Sequence, residues 1–175
     1  MRAIVVTEPG RLAPADVPEP SAGPGELLVD VAAAGVNRAD LLQAAGHYPP
    51  PPGAPAWPGL EVSGTVAALG AGVTGWAPGD RLAALLPGGG YAARVTVPAG
   101  LALPVDGSLD LVDAASLPEA LATVWSTLAR AGFSAGDSVL VRGGSGGIGT
   151  VAVQLARAAG ARVLATAGGP DRCAR

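Results

Sequence analysis

The chain has 175 residues, of which 49% are hydrophobic, and a formal net charge of −3. This length buries a sizeable core and accommodates one large or two small domains. The negative charge and the lack of lysine argue against a nucleic-acid-binding surface, and no stretch is uniformly apolar over the length of a membrane span.

The ends of the chain carry two further signals. The N-terminus reads MRAIVVTEPGR, which lacks the long apolar core of a signal peptide and predicts a strand. The single cysteine, Cys173, permits neither an internal disulfide nor a cysteine-rich zinc site. Together these features predict a cytoplasmic location.

In the first hundred residues, short apolar runs alternate with glycine and proline, a pattern typical of strands joined by turns. Residues 2–7 are predicted as an edge strand, followed by a long proline-rich connection over residues 8–25. Gly64 and Gly70 are predicted bulge or turn positions. Further strands are predicted at residues 26–33, 60–69, 80–86 and 91–97. The pattern indicates a compact all-β barrel with small helical inserts.

A short helix is predicted after the second of these strands. Asn37 is a good N-cap, Leu41 and Leu42 supply an apolar face, and Gly46 ends the helix. From its chemistry alone, Asn37 is either a cap and nothing more or a residue with a further role.

Tyr48 stands between this helix and four consecutive prolines, residues 49–52. These prolines force an extended, stiff segment that presents Tyr48 at a fixed place. The alternative is a surface turn in which the aromatic ring packs on proline.

A second domain is predicted to follow a connecting helix. Ser116 and Glu119 have the S-x-x-E spacing of a capping box, and apolar residues continue at helical spacing as far as Gly132. We therefore predict one domain over residues 1–120 and another over residues 121–175.

The second domain contains the pattern strand, turn, helix, strand over residues 137–172. Gly144, Gly146 and Gly149 satisfy the GxGxxG spacing of a dinucleotide-binding unit. There the first glycine permits a tight turn, the second admits a pyrophosphate, and the third allows close helix packing. The helix N-terminus offers N–H groups to the phosphates. The predicted contacts are Gly144, Ser145, Gly146, Gly147, Ile148 and Gly149; the alternative is a plain glycine-rich turn.

The end of the second strand of this unit favours NADPH over NADH. An NAD-preferring unit carries Asp or Glu about 20 residues past the glycines, whereas this strand ends at residues 165–169 in ATAGG. Arg172 follows, and a guanidinium is a strong bidentate partner for a 2′-phosphate. We predict that Gly168 and Arg172 lie at the cofactor. Asp171 opposes this preference, and the alternative for Arg172 is a solvated charge.

Several segments resemble the NADPH:quinone oxidoreductases of the medium-chain dehydrogenase/reductase superfamily. They are GVNRADLLQAAGHYPPPPGAPAWPGLEVSGTVAALG at 35–70, ALLPGGGYAARVTVPAGLALPV at 84–105 and LPEALATVW at 117–125. The resemblance implies an α/β plus β chain, with an N-terminal GroES-like β-barrel followed by the first βαβ unit of a Rossmann fold. Because the family runs to about twice this length, the chain is expected to be part of a larger protein.

The resemblance also implies a zinc-independent protein. Alcohol dehydrogenase relatives place a zinc-binding cysteine where this chain has Asn37, and a Gly-His-Glu triplet where it has Gly59, Leu60 and Glu61. A catalytic zinc needs about three protein ligands, so no metal is expected.

The activity implied by the resemblance is hydride transfer from NADPH to a quinone or similar conjugated carbonyl compound. Asn37 and Tyr48 would line the cleft where nicotinamide and substrate meet, Thr123 would lie beside the nicotinamide, and Arg172 matches a family lysine near the 2′-phosphate. A homodimer is implied for the full-length protein. The alternatives are an enoyl-thioester reductase, a truncated NADPH-binding protein without activity, and a crystallin-like or RNA-associated role, against which the charge counts.

Overall fold

The structure is a computed structural model that describes residues 1–174, and it divides into two compact units, Met1–Pro118 and Glu119–Arg175. The first unit holds mainly strands. Its elements are β1 (Arg2–Glu8), β2 (Arg11–Asp16), β3 (Glu26–Ala34), α1 (Arg38–Ala44), β4 (Glu61–Leu69), β5 (Arg81–Leu85), β6 (Arg94–Pro98), a 3-10 turn (Ala99–Leu101), β7 (Ala102–Pro104) and α2 (Leu111–Ala114).

An antiparallel sheet with the strand order β6-β3-β4-β5-β7 forms the body of this unit. Alternate residues of its strands face one core, as the alternation of apolar residues predicts. The largest fully buried apolar side chains of this core are Leu27, Val29, Val62, Leu82 and Val97. The architecture confirms the expected β domain with small helical inserts.

The predicted connection over residues 8–25 is wrong in part, because it contains β2. This strand pairs antiparallel with β1, with Pro14 opposite Ile4. Pro14 is tolerated because β2 pairs on one side only among the described strands, so its missing N–H breaks no ladder. The predicted strand at 91–97 is also shorter than expected, since β6 begins at Arg94.

Helix α1 begins after Asn37 as predicted, but its inward face is not the predicted one. Leu41 is 59% exposed and Leu42 is 36% exposed, whereas Asp40 and Gln43 are buried. The buried polar groups have partners: the side-chain amide of Gln43 donates to the carbonyl of Ala56 at 3.1 Å, and Asp40 is the centre of a network described below. Hydrogen bonding therefore sets the orientation of α1.

Gly64 and Gly70 are positions of close backbone approach. A Cβ on Gly64 would stand 2.1 Å from the Asp30 carbonyl oxygen, and one on Gly70 would stand 1.7 Å from that of Gly23. The irregularity predicted near Gly64 is in the opposite strand, where the pairing register shifts between Val31 and Ala33. Both positions therefore exclude any side chain.

The second unit confirms the predicted order of strand, helix and strand. Strands β8 (Ser138–Arg142) and β9 (Arg162–Thr166) pair in parallel and are joined by α4 (Gly147–Ala158). Gly160 follows α4 with φ of 87°, as expected of a helix-terminating glycine. Before and after this motif lie α3 (Pro118–Arg130) and α5 (Pro170–Cys173).

Within the part of the chain that the structure describes, no helix has the length and apolar character required to cross a membrane.

Candidate functional site

Asp40 is the centre of a buried hydrogen-bond network in the first unit. It is 2% exposed and occupies the third position of α1. Its Oδ2 accepts from the Asn37 backbone N–H at 2.8 Å and from the Tyr91 hydroxyl at 3.0 Å. Its Oδ1 accepts from the Gly59 backbone N–H at 3.0 Å. One carboxylate thus ties the start of α1 to the segments that precede β4 and β6.

Asn37 is held at both its backbone and its side chain. Its side-chain Nδ2 donates to Oε1 of Glu61 at 2.8 Å, and Glu61 is 2% exposed. Asn37 and Asp40 form a capping box, in which the N–H of Asp40 also reaches the Asn37 backbone carbonyl at 3.1 Å. Asn37 therefore occupies the predicted N-cap position, while its amide group is engaged elsewhere.

Two glycines make room for this network. The Gly35 N–H donates to the Glu61 backbone carbonyl at 3.1 Å, and a Cβ on Gly35 would stand 2.2 Å from Glu61 Oε1. Gly59 has φ of 111°, and its Cβ would stand 2.4 Å from the backbone nitrogen of Tyr91. Gly35 thus leaves the space that the Glu61 carboxylate occupies, and Gly59 lets the segment before β4 approach the backbone of Tyr91.

The Tyr91 hydroxyl serves this network as a donor. Burial raises the pKa of Tyr91 above its ordinary range, and the charge of Asp40, its hydrogen bond and the charge of Glu61 raise it further. The hydroxyl therefore keeps its proton at neutral pH and remains committed to Asp40.

Tyr48 has a different setting, because its side chain is 42% exposed. Its hydroxyl makes no hydrogen bond to any of residues 1–174. The segment that carries Tyr48 begins at His47, whose N–H donates to the Leu42 carbonyl at 2.8 Å. The proline run ends in a turn in which the Ala54 N–H donates to the Pro51 carbonyl at 3.0 Å, with Gly53 at φ of 85°. The phenol is thus open to a ligand.

The glycine-rich turn of the second unit lies against β9. Gly143, with φ of 77°, begins the turn, and its carbonyl accepts from the Gly146 N–H at 3.0 Å. Gly144, the second residue of this turn, packs closely: its N–H donates to the Thr166 carbonyl at 2.8 Å, and its Cβ would stand 2.8 Å from that of Ala165. A Cβ on Gly149 would stand 2.2 Å from the Gly143 carbonyl oxygen. The turn thus contains Gly144, and its residues pack closely on β9 and on the start of α4.

The start of α4 provides the backbone donors that the sequence predicts. Gly146 is the N-cap, and the N–H of Thr150 donates to the Gly146 carbonyl at 2.9 Å. The first turn of α4 has no intrahelical acceptors for its backbone N–H groups. These are the N–H groups of Gly147, Ile148 and Gly149.

Three of the predicted cofactor residues line one cavity of about 830 Å³ in this unit, namely Gly144, Ser145 and Arg172. Thr166 and Cys173 also line it, whereas Asp171 does not. Gly168 lies nearby, since its Cβ would stand 3.8 Å from Nη1 of Arg172.

Thr123 does not line this cavity. It lies on α3 and is half-buried, and its backbone carbonyl accepts from the hydroxyls of Ser126 at 3.2 Å and Thr127 at 2.7 Å. The helix begins at Pro118, and the Ser116 hydroxyl of the predicted capping box donates to the Asp113 carbonyl at 2.8 Å.

The sequence analysis did not identify Asp40 or Tyr91 as site residues. It named Glu61 only because it aligns with the last residue of the Gly-His-Glu triplet of alcohol dehydrogenase relatives. The available signal was an acidic residue three positions after Asn37, which is typical of a capping box. No comparable signal marks Tyr91, because its partner is 51 residues away. Over residues 1–174, no group of three or more His, Cys, Asp or Glu side chains is arranged to hold a metal ion.

Several known proteins are similar to this chain in both sequence and fold. Residues 23–107 match the alcohol dehydrogenase GroES-like domain family. The quinone oxidoreductase from Thermus thermophilus, whose structure is known with NADPH, is 42% identical with a TM-score of 0.80, over 98% of this chain and 54% of that one. The CurK enoyl reductase is 27% identical with a TM-score of 0.88, over 99% of this chain and 55% of that one.

A curated relative is much longer. Phthioceranic/hydroxyphthioceranic acid synthase of Mycobacterium tuberculosis is 42% identical over 151 residues, which are 86% of this chain and 7% of the synthase. The chain thus spans about half the length of the solved structures, at 54% and 55%.

The molecule combines a GroES-like β domain with a parallel βαβ unit. The match to the alcohol dehydrogenase GroES-like domain family covers residues 23–107, within the first of these parts.

Proposed function

We propose that the protein containing this chain transfers a hydride from NADPH to an electron-poor conjugated carbonyl compound, with quinones as the first substrate class. NADPH, when bound, supplies the hydride. A quinone that accepts this hydride and one proton becomes a hydroquinone, and NADP⁺ is released. The observation that carries the proposal is the cavity in which Gly144, Ser145 and Arg172 meet beside the start of α4.

The residues of the second unit fit NADPH. Gly144 and Gly149 leave no space for side chains, so the turn packs closely on β9 and on α4, and Gly144 lines the cavity. First-turn N–H groups of a 12-residue helix suit a pyrophosphate. Arg172 supplies a guanidinium for a 2′-phosphate, and the neighbouring carboxylate of Asp171 does not line the cavity.

The residues of the first unit would orient the reacting partners. Tyr48 offers an exposed hydroxyl that is able to donate to a carbonyl oxygen, and Asn37 offers an amide held by Glu61. With Thr123 they form the proposed nicotinamide and substrate contacts, by resemblance to the family. Because the cofactor supplies the hydride, these residues need only bind, orient and exclude water. Zinc independence and a full-length homodimer stay predictions of the same resemblance, and a cytoplasmic location stays a prediction of the sequence.

Reduction of an enoyl thioester is a second candidate. The 42% identity to the mycobacterial synthase and the TM-score of 0.88 to the CurK enoyl reductase favour it. The chemistry is closely related, since a hydride adds to the β-carbon and a proton to the α-carbon. The two candidates differ in the acceptor rather than in the cofactor.

The two functions are separated by NADPH oxidation with each acceptor. We expect the full-length protein to oxidise NADPH with 1,4-benzoquinone, with a kcat/KM at least about tenfold above that for crotonyl-CoA, which corresponds to about 1.4 kcal/mol. The reverse ratio would assign the protein to enoyl reduction. No oxidation with either acceptor would contradict both functions.

Replacing Tyr48 with phenylalanine is expected to lower kcat/KM for the quinone by more than about tenfold, or about 1.4 kcal/mol, because the hydroxyl bonded to the carbonyl oxygen is lost. Thermal unfolding serves as the control and should not change, because this hydroxyl has no partner among the described residues. An unchanged kcat/KM would show that the Tyr48 hydroxyl does not contribute to turnover and would favour a packing role for the ring.

A further inference from the structure

We propose that Ala165 and Thr166, at the end of β9, are positioning residues for NADPH, and that they hold the glycine-rich turn where it meets the pyrophosphate. This inference rests on the proposed function, because it assumes that a dinucleotide occupies the cavity of the second unit. It adds two residues to those that the sequence analysis assigned to the cofactor.

Thr166 is the last residue of β9 and accepts two hydrogen bonds from the turn. The Gly144 N–H donates to its backbone carbonyl at 2.8 Å, and the Gly143 N–H donates to its hydroxyl oxygen at 3.4 Å. The two donors are consecutive residues, at the point where the chain leaves β8. Thr166 therefore fixes the start of the turn against the sheet through both its backbone and its side chain.

Ala165 holds the turn by its shape. A Cβ on Gly144 would stand 2.8 Å from the Cβ of Ala165, which is closer than two carbon atoms pack. Successive side chains of a strand point to opposite faces of a sheet, so Ala165 and Thr166 act on the turn from different faces. A larger side chain at position 165 is expected to press on the backbone of Gly144 and to displace the turn.

The turn in its place determines where α4 begins. The Gly143 carbonyl accepts from the N–H of Gly146, which is the N-cap of α4, at 3.0 Å. A Cβ on Gly149 would stand 2.2 Å from the same carbonyl oxygen, so α4 packs directly on the turn. A shift of the turn against β9 consequently moves the first-turn N–H groups that suit a pyrophosphate. Binding groups need to be held within about 0.5 Å of the productive geometry.

The same cavity of about 830 Å³ is lined by Ala165, Thr166, Gly144, Ser145 and Arg172. The proposed partner of Arg172 is the 2′-phosphate, which NAD⁺ lacks, whereas the pyrophosphate is common to NADP⁺ and NAD⁺. Residues that act through the turn should therefore affect both dinucleotides alike. Adenosine 2′-monophosphate carries the 2′-phosphate without a pyrophosphate, so its binding should depend on Arg172 and not on the turn.

The test measures binding of NADP⁺, NAD⁺ and adenosine 2′-monophosphate to the full-length protein by calorimetry. In Thr166→Val, which removes the hydroxyl, we expect both dinucleotides to bind about threefold more weakly, as the loss of one hydrogen bond allows. In Ala165→Val the loss should reach about tenfold, because added methyl groups overpack the contact. In both variants the ratio of the NADP⁺ and NAD⁺ affinities and the binding of adenosine 2′-monophosphate should stay unchanged. Thr166→Ser, which keeps the hydroxyl, should restore all three affinities.

Leu164→Val is the matched control, because Leu164 is the neighbouring residue of β9, is 51% exposed and does not line the cavity. Its three affinities should equal those of the unaltered protein. An equal loss for all three ligands, or a changed ratio of NADP⁺ to NAD⁺ affinity, would overturn the positioning role. Unchanged affinities in either folded valine variant would overturn it for that residue. If Ala165→Val fails to fold, Thr166→Val alone decides. If the unaltered protein binds neither dinucleotide, the NADPH proposal fails as well.

Discussion

Replacing Asp40 with alanine is expected to lower the free energy of unfolding of the first unit by about 3 kcal/mol or more, because each buried donor left without a partner costs about 1–3 kcal/mol. Three donors lose their acceptor at once: the backbone N–H groups of Asn37 and Gly59 and the hydroxyl of Tyr91. The three donors belong to segments far apart in the sequence, so the loss should loosen the start of α1 and both neighbouring segments.

Urea denaturation followed by tryptophan fluorescence measures this effect. Asp80→Ala is the matched control, since Asp80 is exposed and its Oδ2 accepts from the Ala77 N–H at 2.7 Å in a surface turn. We expect the control to lose no more than about 1 kcal/mol, the net value of an ordinary hydrogen bond. Equal losses in the two variants would show that the buried network does not stabilise the unit.

Replacing Arg172 with alanine is expected to remove a preference for NADP⁺ over NAD⁺ of about ten- to a hundredfold, or about 1.5–3 kcal/mol, the range of hydrogen bonds to charged groups. The physical reason is the loss of a guanidinium from the cavity that Gly144 and Ser145 also line. Affinity for NAD⁺, which lacks the 2′-phosphate, should be nearly unchanged.

Isothermal titration with both nucleotides checks this expectation. Arg162→Ala is a suitable control, because Arg162 is an exposed arginine of the same unit that does not line the cavity. Equal affinities of the unaltered protein for NADP⁺ and NAD⁺ would contradict the assignment of Arg172 to the 2′-phosphate. A preference for NADP⁺ that persists in Arg172→Ala would contradict it as well.

The βαβ unit could be predicted because its signals are local. Strand, turn and helix follow one another within residues 137–172, and Gly160 marks the helix end by its own conformation. The packing of the turn on β9 could not be predicted in the same way, because it depends on the contact between Gly144 and Ala165 across the pair of strands.

Strand β2 and the orientation of α1 were mispredicted for a common reason. Both predictions relied on residue type along the chain. The prolines of residues 8–25 were taken to indicate a connection without strands, and the leucines of α1 were taken to face the core. Pro14 is accommodated because β2 pairs only with β1 among the described strands. Leu41 is exposed because Asp40 takes the inward place, with partners that arrive from other segments.

Residues of the candidate site could be predicted only where the sequence resembles the motifs of a known family. Asn37 could be named from its motif, but its hydrogen bond to Glu61 spans 24 residues and leaves no periodic signal. The same holds for the clearance that Gly35 provides. Long-range hydrogen bonds of buried polar groups are a property of the folded chain, so the orientation of the Asn37 amide could be obtained only from the structure.

Hydride transfer is tested most directly by the isotope dependence of NADPH oxidation by the full-length protein in a single turnover with 1,4-benzoquinone. We expect one hydroquinone for each NADPH consumed, and slower consumption when deuterium replaces hydrogen at the transferred position of the nicotinamide. A protein that binds NADPH but leaves it unoxidised with both the quinone and the enoyl thioester would contradict the proposed hydride transfer.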